Sequence, residues 1–112
     1  MKKMRLDEAK PYVASGHVQT ASLRLSGKDE TGAQKFWVGL SHFLPGGGTE
    51  YTGEEQTTEK VYIVVEGQVT VKSRTEEFIL NPLDALYIAP HEGRAIINKT
   101  NKPASMLVIV NY

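Results

Sequence analysis

Hydrophobic and polar residues alternate along most of this chain in short runs, each closed by turn residues. The runs are HVQTASLRL (His17 to Leu25), KFWVGLSHFL (Lys35 to Leu44), KVYIVVEG (Lys60 to Gly67) and QVTVKS (Gln68 to Ser73). EEFILN (Glu76 to Asn81), ALYIA (Ala85 to Ala89), RAIIN (Arg94 to Asn98) and SMLVIVNY (Ser105 to Tyr112) continue the series. Between them stand SGKDETGAQ, PGGGTEYTGEEQTT, EGQ, NPLD, PHEG and NKTNKPA. A period of two with β-branched enrichment predicts strands, and Gly, Pro and Asn mark the turns. Many short strands at regular spacing predict an all-β sandwich or small barrel. The best helical stretch, MRLDEAKPY, is cut short by Pro11, which has no amide hydrogen to continue a helix. There is no room for the helical crossovers that a parallel sheet needs.

Alternation also sorts residues by face. In KFWVGLSHFL one face carries Phe36, Val38, Leu40, His42 and Leu44, and the other Trp37, Gly39, Ser41 and Phe43. The first is the more continuously apolar, so it is expected inside, with His42 among core residues. From Thr58 to Glu66, apolarity alone would bury Glu59, Val61, Ile63 and Val65 and expose Lys60, Tyr62 and Val64. A barrel half covered on both sides would bury parts of both sets. The last strand is apolar on both faces and so asks for cover on both.

Composition narrows the function. The 112 residues fit one domain, 1–112, with an N-terminal arm and strands over 1–34 and a barrel over 35–112. Lys plus Arg is 13 and Asp plus Glu is 13, so the excess positive charge that a phosphate backbone demands is missing and no nucleic-acid partner is expected. There is no cysteine, which removes disulfides, thiolate metal sites and thiol nucleophiles. No apolar run follows Lys2 and Lys3, and none approaches the roughly 18 residues of a membrane span. A soluble, cytoplasmic protein without a membrane partner is the expectation.

PGGGTEYTGEEQTTEKVYIVVEGQVTV, followed by LDALYIAPHEGRAIINKT, resembles a small single-domain cupin from about Trp37 to Tyr112. The resemblance implies a double-stranded β-helix, the cupin or jelly-roll barrel, whose first motif supplies two histidines and a glutamate to a metal and whose second supplies a third histidine. Counting back from Gly67, Lys60 takes the glutamate place. With the shorter of two spacings Glu54 and Gln56 take the histidine places and Gly48 the leading glycine. With the longer, these become Gly53, Glu55 and Gly47. In the second motif Asn98 matches the closing asparagine, Asp84 an acidic residue, and Arg94 stands at the histidine place. Small cupins are commonly homodimers, and the resemblance implies one here.

The replaced positions change the chemistry. Lys60 and Arg94 are cations near neutral pH, and a guanidinium has no lone pair for a metal. No metal and no cofactor are therefore expected at the usual place. Cations that point inward must be paired, solvated or matched to an anion. Lys60 and Arg94, with Glu54, Gln56 and Tyr62 nearby and His42 at the wall, would suit a small carboxylate- or phosphate-bearing molecule, since arginine offers a planar fork and lysine a movable point charge. Three other readings stand beside this one. Glu54, Lys60 and Arg94 would form an internal salt-bridge network in a lapsed site. In an isomerase, lyase or decarboxylase, the cations would hold a carboxylate while His42, Glu54 or Tyr62 moved a proton. In a metal-dependent, dioxygenase-like cupin, His42, Glu54 and Gln56 would be substitute ligands. His17 and His91 are expected at exposed positions.

Overall fold

A computed structural model describes all 112 residues. One 3-10 turn, Leu6–Glu8, precedes nine strands. They are β1 (Lys10–Tyr12), β2 (His17–Ser26), β3 (Phe36–Thr52), β4 (Lys60–Glu66), β5 (Val69–Lys72), β6 (Glu77–Leu80), β7 (Ala85–Ile88), β8 (Arg94–Ile97) and β9 (Ala104–Asn111). No helix is long and apolar enough to cross a membrane. The expected runs are present to within one or two residues, with two differences. The segment around Pro11 is a short strand on the sheet edge, paired only with β2, where a residue lacking an amide hydrogen is tolerated. And β3 does not stop at Leu44 but continues through PGGGTEYT.

That extension builds the barrel. The first half of β3 pairs with β2 and β9, from Phe36 opposite Asn111 to Phe43 opposite Ala104. Its second half pairs with β8, from Gly48 opposite Ile97 to Thr52 opposite Arg94. One strand thus belongs to two walls. The first runs β1-β2-β3-β9-β4-β7 and the second β3-β8-β5-β6, with every pairing antiparallel. This is the jelly-roll solution to the edge problem: two sheets fold over one another and share a core. Phe43, Val64, Val69, Val71 and Met106 are completely buried between them, with Leu80, Ile88 and Ile96 beside them.

The facing of β3 corrects the sequence expectation. Trp37, Gly39, Ser41 and Phe43 turn inward, with Ser41 and Phe43 fully buried, while Phe36 and Leu44 are exposed. The outer face is apolar as well: Val38 lies opposite Ile109 and Leu40 opposite Leu107, and these pair onward with Val61 and Ile63 of β4. Apolarity therefore could not tell inside from outside. In β4 the alternative also resolves: Lys60, Tyr62 and Val64 are buried, and Val61 and Ile63 lie half-buried on the outer face.

Asn98, fully buried, ties the two walls together. Its Nδ2 donates to the Phe43 carbonyl at 3.2 Å and the Lys102 carbonyl at 2.7 Å, while its Oδ1 accepts from the Thr100 amide and hydroxyl. Truncation would strand these partners in the interior. Asn98→Ala should lower the unfolding free energy by about 2–3 kcal/mol, measured by equilibrium denaturation in urea.

Candidate functional site

The inner face of the first wall sets out the site in rows. Lys60 of β4 lies opposite Val110 of β9, which lies opposite Trp37 of β3. In the next row Tyr62 faces Val108, then Gly39, then Arg24 of β2. In the third, Val64 faces Met106, then Ser41, Ser22 and finally Tyr12 of β1. From the other wall β8 contributes Arg94 and Ile96. All of these but Gly39, Ser22 and Val64 line a cavity of about 420 Å³, which Glu55 and Gln56 also border. The volume is that of an ordinary small-molecule site.

Arg94 is placed by three contacts. Its Nε donates to the Tyr62 hydroxyl at 2.7 Å, and its Nη1 donates to the Thr52 carbonyl at 3.2 Å. Beneath it lies Gly53 at φ +106°, where a Cβ would collide with Nη1. A side chain at position 53 would therefore be strained and would also displace the guanidinium. Lys60 is only 6% exposed, and its ammonium donates to the Thr58 hydroxyl at 3.1 Å. Burial pushes its pKa down, the Arg94 charge pushes the same way, and Glu55 pulls it partly back. Burial likewise raises the Tyr62 pKa, with Arg94 opposing, so the phenol stays protonated as the acceptor of the Arg94 bond.

Arg24 is a third cation in the cavity. Its guanidinium lies over the Trp37 ring at 4.1 Å and the Tyr12 ring at 4.8 Å, and these two rings meet edge to face. Gly39 leaves the room for this stack, since a Cβ there would stand 2.9 Å from the Tyr12 hydroxyl and 3.1 Å from the Trp37 ring. The Arg24 Nε and the Gln56 Oε1 are both buried without a hydrogen-bond partner. No carboxylate pairs within 4.0 Å with Arg24, Lys60 or Arg94; the ion pairs of the chain involve other cations. Glu55 is the one carboxylate among the lining residues.

Of the residues singled out in the sequence, Gln56, Lys60, Tyr62 and Arg94 meet in this cavity. Glu54 does not. It turns outward, and its Oε1 accepts from the Arg74 Nε at 2.6 Å and the Tyr51 hydroxyl at 3.0 Å, which hold its carboxyl below the usual range. Residues 54 and 55 form a turn, so strand alternation does not govern them, and the exposed Glu55 borders the cavity instead. His91 fixes this loop: its amide donates to the Gln56 carbonyl at 2.8 Å and its ring Nδ1 meets the Glu54 carbonyl at 3.0 Å. His42 stands on the outer face of β3, bonded to the Ser105 hydroxyl at 2.9 Å and bordering a separate surface hollow with Gln19 and Leu44. The proposed internal network of Glu54, Lys60 and Arg94 is therefore absent. Arg24, Tyr12, Trp37 and His17 were not foreseen at the cavity. The only trace of them in the sequence is an arginine between leucines in an alternating strand.

With the shorter motif spacing, the usual cupin ligand places fall on Glu54, which faces outward, Gln56, Lys60 and Arg94; with the longer, Gly53 and Glu55 replace the first two. Nowhere in the chain do three His, Asp or Glu side chains converge. This donor set does not fit a divalent ion.

The comparisons agree with the architecture. Residues 39–110 match the Cupin_2 family, described as the cupin domain. The chain belongs to the cupin family. A protein of Mycobacterium tuberculosis named beta-D-galactosidase Rv1717 is 37% identical over 112 residues, spanning 100% of this chain and 95% of that one. Among solved structures, the polyketide cyclase RemF from Streptomyces resistomycificus superposes with a TM-score of 0.85 at 19% identity, covering 99% of this chain and 79% of that one. A sugar phosphate isomerase of the cupin superfamily from Silicibacter pomeroyi gives a TM-score of 0.82 at 24% identity, covering 99% and 76%. At these identities the two structures establish the fold alone.

The buried ammonium has a consequence for stability. The Lys60 pKa is lower in the folded chain than in the unfolded one, so at neutral pH the unfolded chain holds this proton more tightly. The penalty is complete below the folded pKa and fades as pH rises towards the ordinary lysine value. Lys60→Met should therefore stabilise the ligand-free protein by roughly 1–2 kcal/mol at pH 7, and the gain should shrink as the pH is raised through the alkaline range. Urea denaturation of both proteins across pH 7 to 10 checks the sign.

Proposed function

We propose that the barrel mouth binds a small anionic molecule of monosaccharide size, a sugar acid or a sugar phosphate, without the usual cupin metal. The observation that carries this reading is the charge balance of the cavity. Arg24, Lys60 and Arg94 face it with no ion-pair partner, against the single carboxylate of Glu55. A carboxylate or phosphate would relieve the mutual repulsion of Lys60 and Arg94 and occupy the unpaired Arg24 Nε. Trp37 and Tyr12 supply flat apolar surface, and Ser15, Thr49 and Thr52 supply hydroxyls, a combination suited to a sugar ring. The galactosidase name of the 37% identical relative supports a sugar-like ligand. Two-carboxylate glycoside hydrolysis, however, needs a second acid facing the first, and Glu55 has none in the cavity. Calorimetric titration with galactonate, galacturonate and galactose 6-phosphate should show binding at least about tenfold tighter than for galactose, or about 1.4 kcal/mol. Arg94→Gln should remove most of that difference. Equal affinity for the neutral sugar would overturn the reading.

A second copy of the chain is proposed to cover the outer face of the first wall. Val61, Ile63, Leu107, Ile109, Val38 and Leu40 form two apolar rows there, and all six are only half-buried. Such a face calls for a covering layer. Sedimentation equilibrium at micromolar concentration should give twice the chain mass, and Ile109→Asp should return it to the single-chain value.

A further inference from the structure

We propose that Lys60 is a nucleophilic amine, forming a covalent imine with a carbonyl-bearing carboxylic acid, either a 2-oxo acid or the open-chain form of a sugar acid. This rests on the anion-binding reading for the place of the substrate's carboxylate, and goes beyond it in assigning chemistry to the lysine.

Three features of the cavity converge on this role. Lys60 is buried, yet its nitrogen has a single protein partner, the Thr58 hydroxyl, and no carboxylate pairs with it. A lysine kept only for charge or packing would be paired or would extend into water. Its surroundings on the wall are apolar: Val110 directly opposite on β9, with Val108 and Met106 in the rows beyond. And a fixed cation, Arg94, is held in the same cavity by Tyr62 and Thr52. An amine beside another cation on an apolar wall is the arrangement that raises the free-base fraction of a lysine, and the downward direction of its pKa agrees with this. The remaining titratable groups at the cavity are Tyr12, His17, Arg24, Glu55 and Tyr62. Of these, Glu55 is the one carboxylate, and it bears on the Lys60 charge.

The step balances without any further reactant. The neutral Lys60 amine adds to the carbonyl carbon, forming the N–C bond as the carbonyl π pair moves to oxygen. The nitrogen gives up a proton to Glu55, which passes it to the alkoxide, and a carbinolamine results. Glu55 then takes the second nitrogen proton and delivers it to the hydroxyl, water leaves and the C=N bond forms. Addition of water reverses the sequence. Meanwhile Arg94, with its fork only partly used by Tyr62 and Thr52, receives the carboxylate.

The test is reductive trapping. The full chain is incubated with glyoxylate or pyruvate and borohydride, digested, and each lysine is assayed by peptide mass spectrometry. Glyoxylate should leave a carboxymethyl group on Lys60 about tenfold faster than on exposed lysines such as Lys2, Lys3 and Lys28. Lys60→Met and Lys60→Arg, checked for folding by thermal melting, should lose the fast adduct. Glycolate and lactate, which carry the carboxylate but no carbonyl, should compete with trapping, and glyceraldehyde, which has a carbonyl but no carboxylate, should label Lys60 more slowly. No adduct at Lys60, or labelling no faster than at exposed lysines, would overturn the proposal. If glycolate still binds calorimetrically in that case, the anion-binding reading survives alone. Fast trapping by glyceraldehyde without competition from glycolate would instead keep the amine and reject the anion site.

Discussion

The central constraint on this protein is a buried ammonium that the chain does not neutralise. Strand alternation carries Lys60 inward with Tyr62 and Val64, so the lysine cannot swing out without turning core residues into water. Once inside, it shares a cavity with Arg94, and each cation makes the other less comfortable. The chain stabilises the guanidinium with a phenol and a backbone carbonyl, and the ammonium with one hydroxyl. These bonds solvate charge but do not cancel it. The proposed anionic ligand would supply the missing negative charge to the cavity.

Its architecture explains how such a site is tolerated. The long strand β3 ties the two walls together, and the fully apolar core around Phe43, Val64, Val71 and Met106 lies deeper than the charged mouth. Asn98 holds the join between walls through bonds on both sides of its amide. Phe43, Ile96 and Met106 belong both to this core and to the cavity wall, so the charged groups stand directly on a rigid apolar floor.

The N-terminal arm changes what the mouth can recognise. Without β1 and β2, the first wall would end at β3, leaving the inner face of Trp37 open. The arm adds Tyr12 and Arg24, which stack with Trp37 into a lateral surface both aromatic and cationic. An aromatic wall carrying a guanidinium favours a negatively charged group over a neutral one, which is the basis of the proposed anionic ligand. The family match begins at residue 39, so Tyr12, Arg24 and Trp37 lie on a segment outside the matched residues.

Turn residues and the period-two rhythm were enough, from the sequence alone, to define an all-β barrel and nearly every strand, because those signals are local. The cupin spacing likewise brought Gln56, Lys60, Tyr62 and Arg94 to one place, since the motif encodes a fixed register between neighbouring strands. What only the tertiary structure decided is which face of an apolar strand turns inward. Both faces of β3 are hydrophobic, and the apolar rows shared with β4 and β9 concealed that Trp37 and Phe43 point in while His42 points out. Glu54 and Glu55 exchanged roles because they sit in a turn, where alternation has no force. Arg24 joined the cavity through its pairing with β1 and β3, which brings Tyr12 and Trp37 to it, and no pattern within one strand reports a contact formed across the sheet.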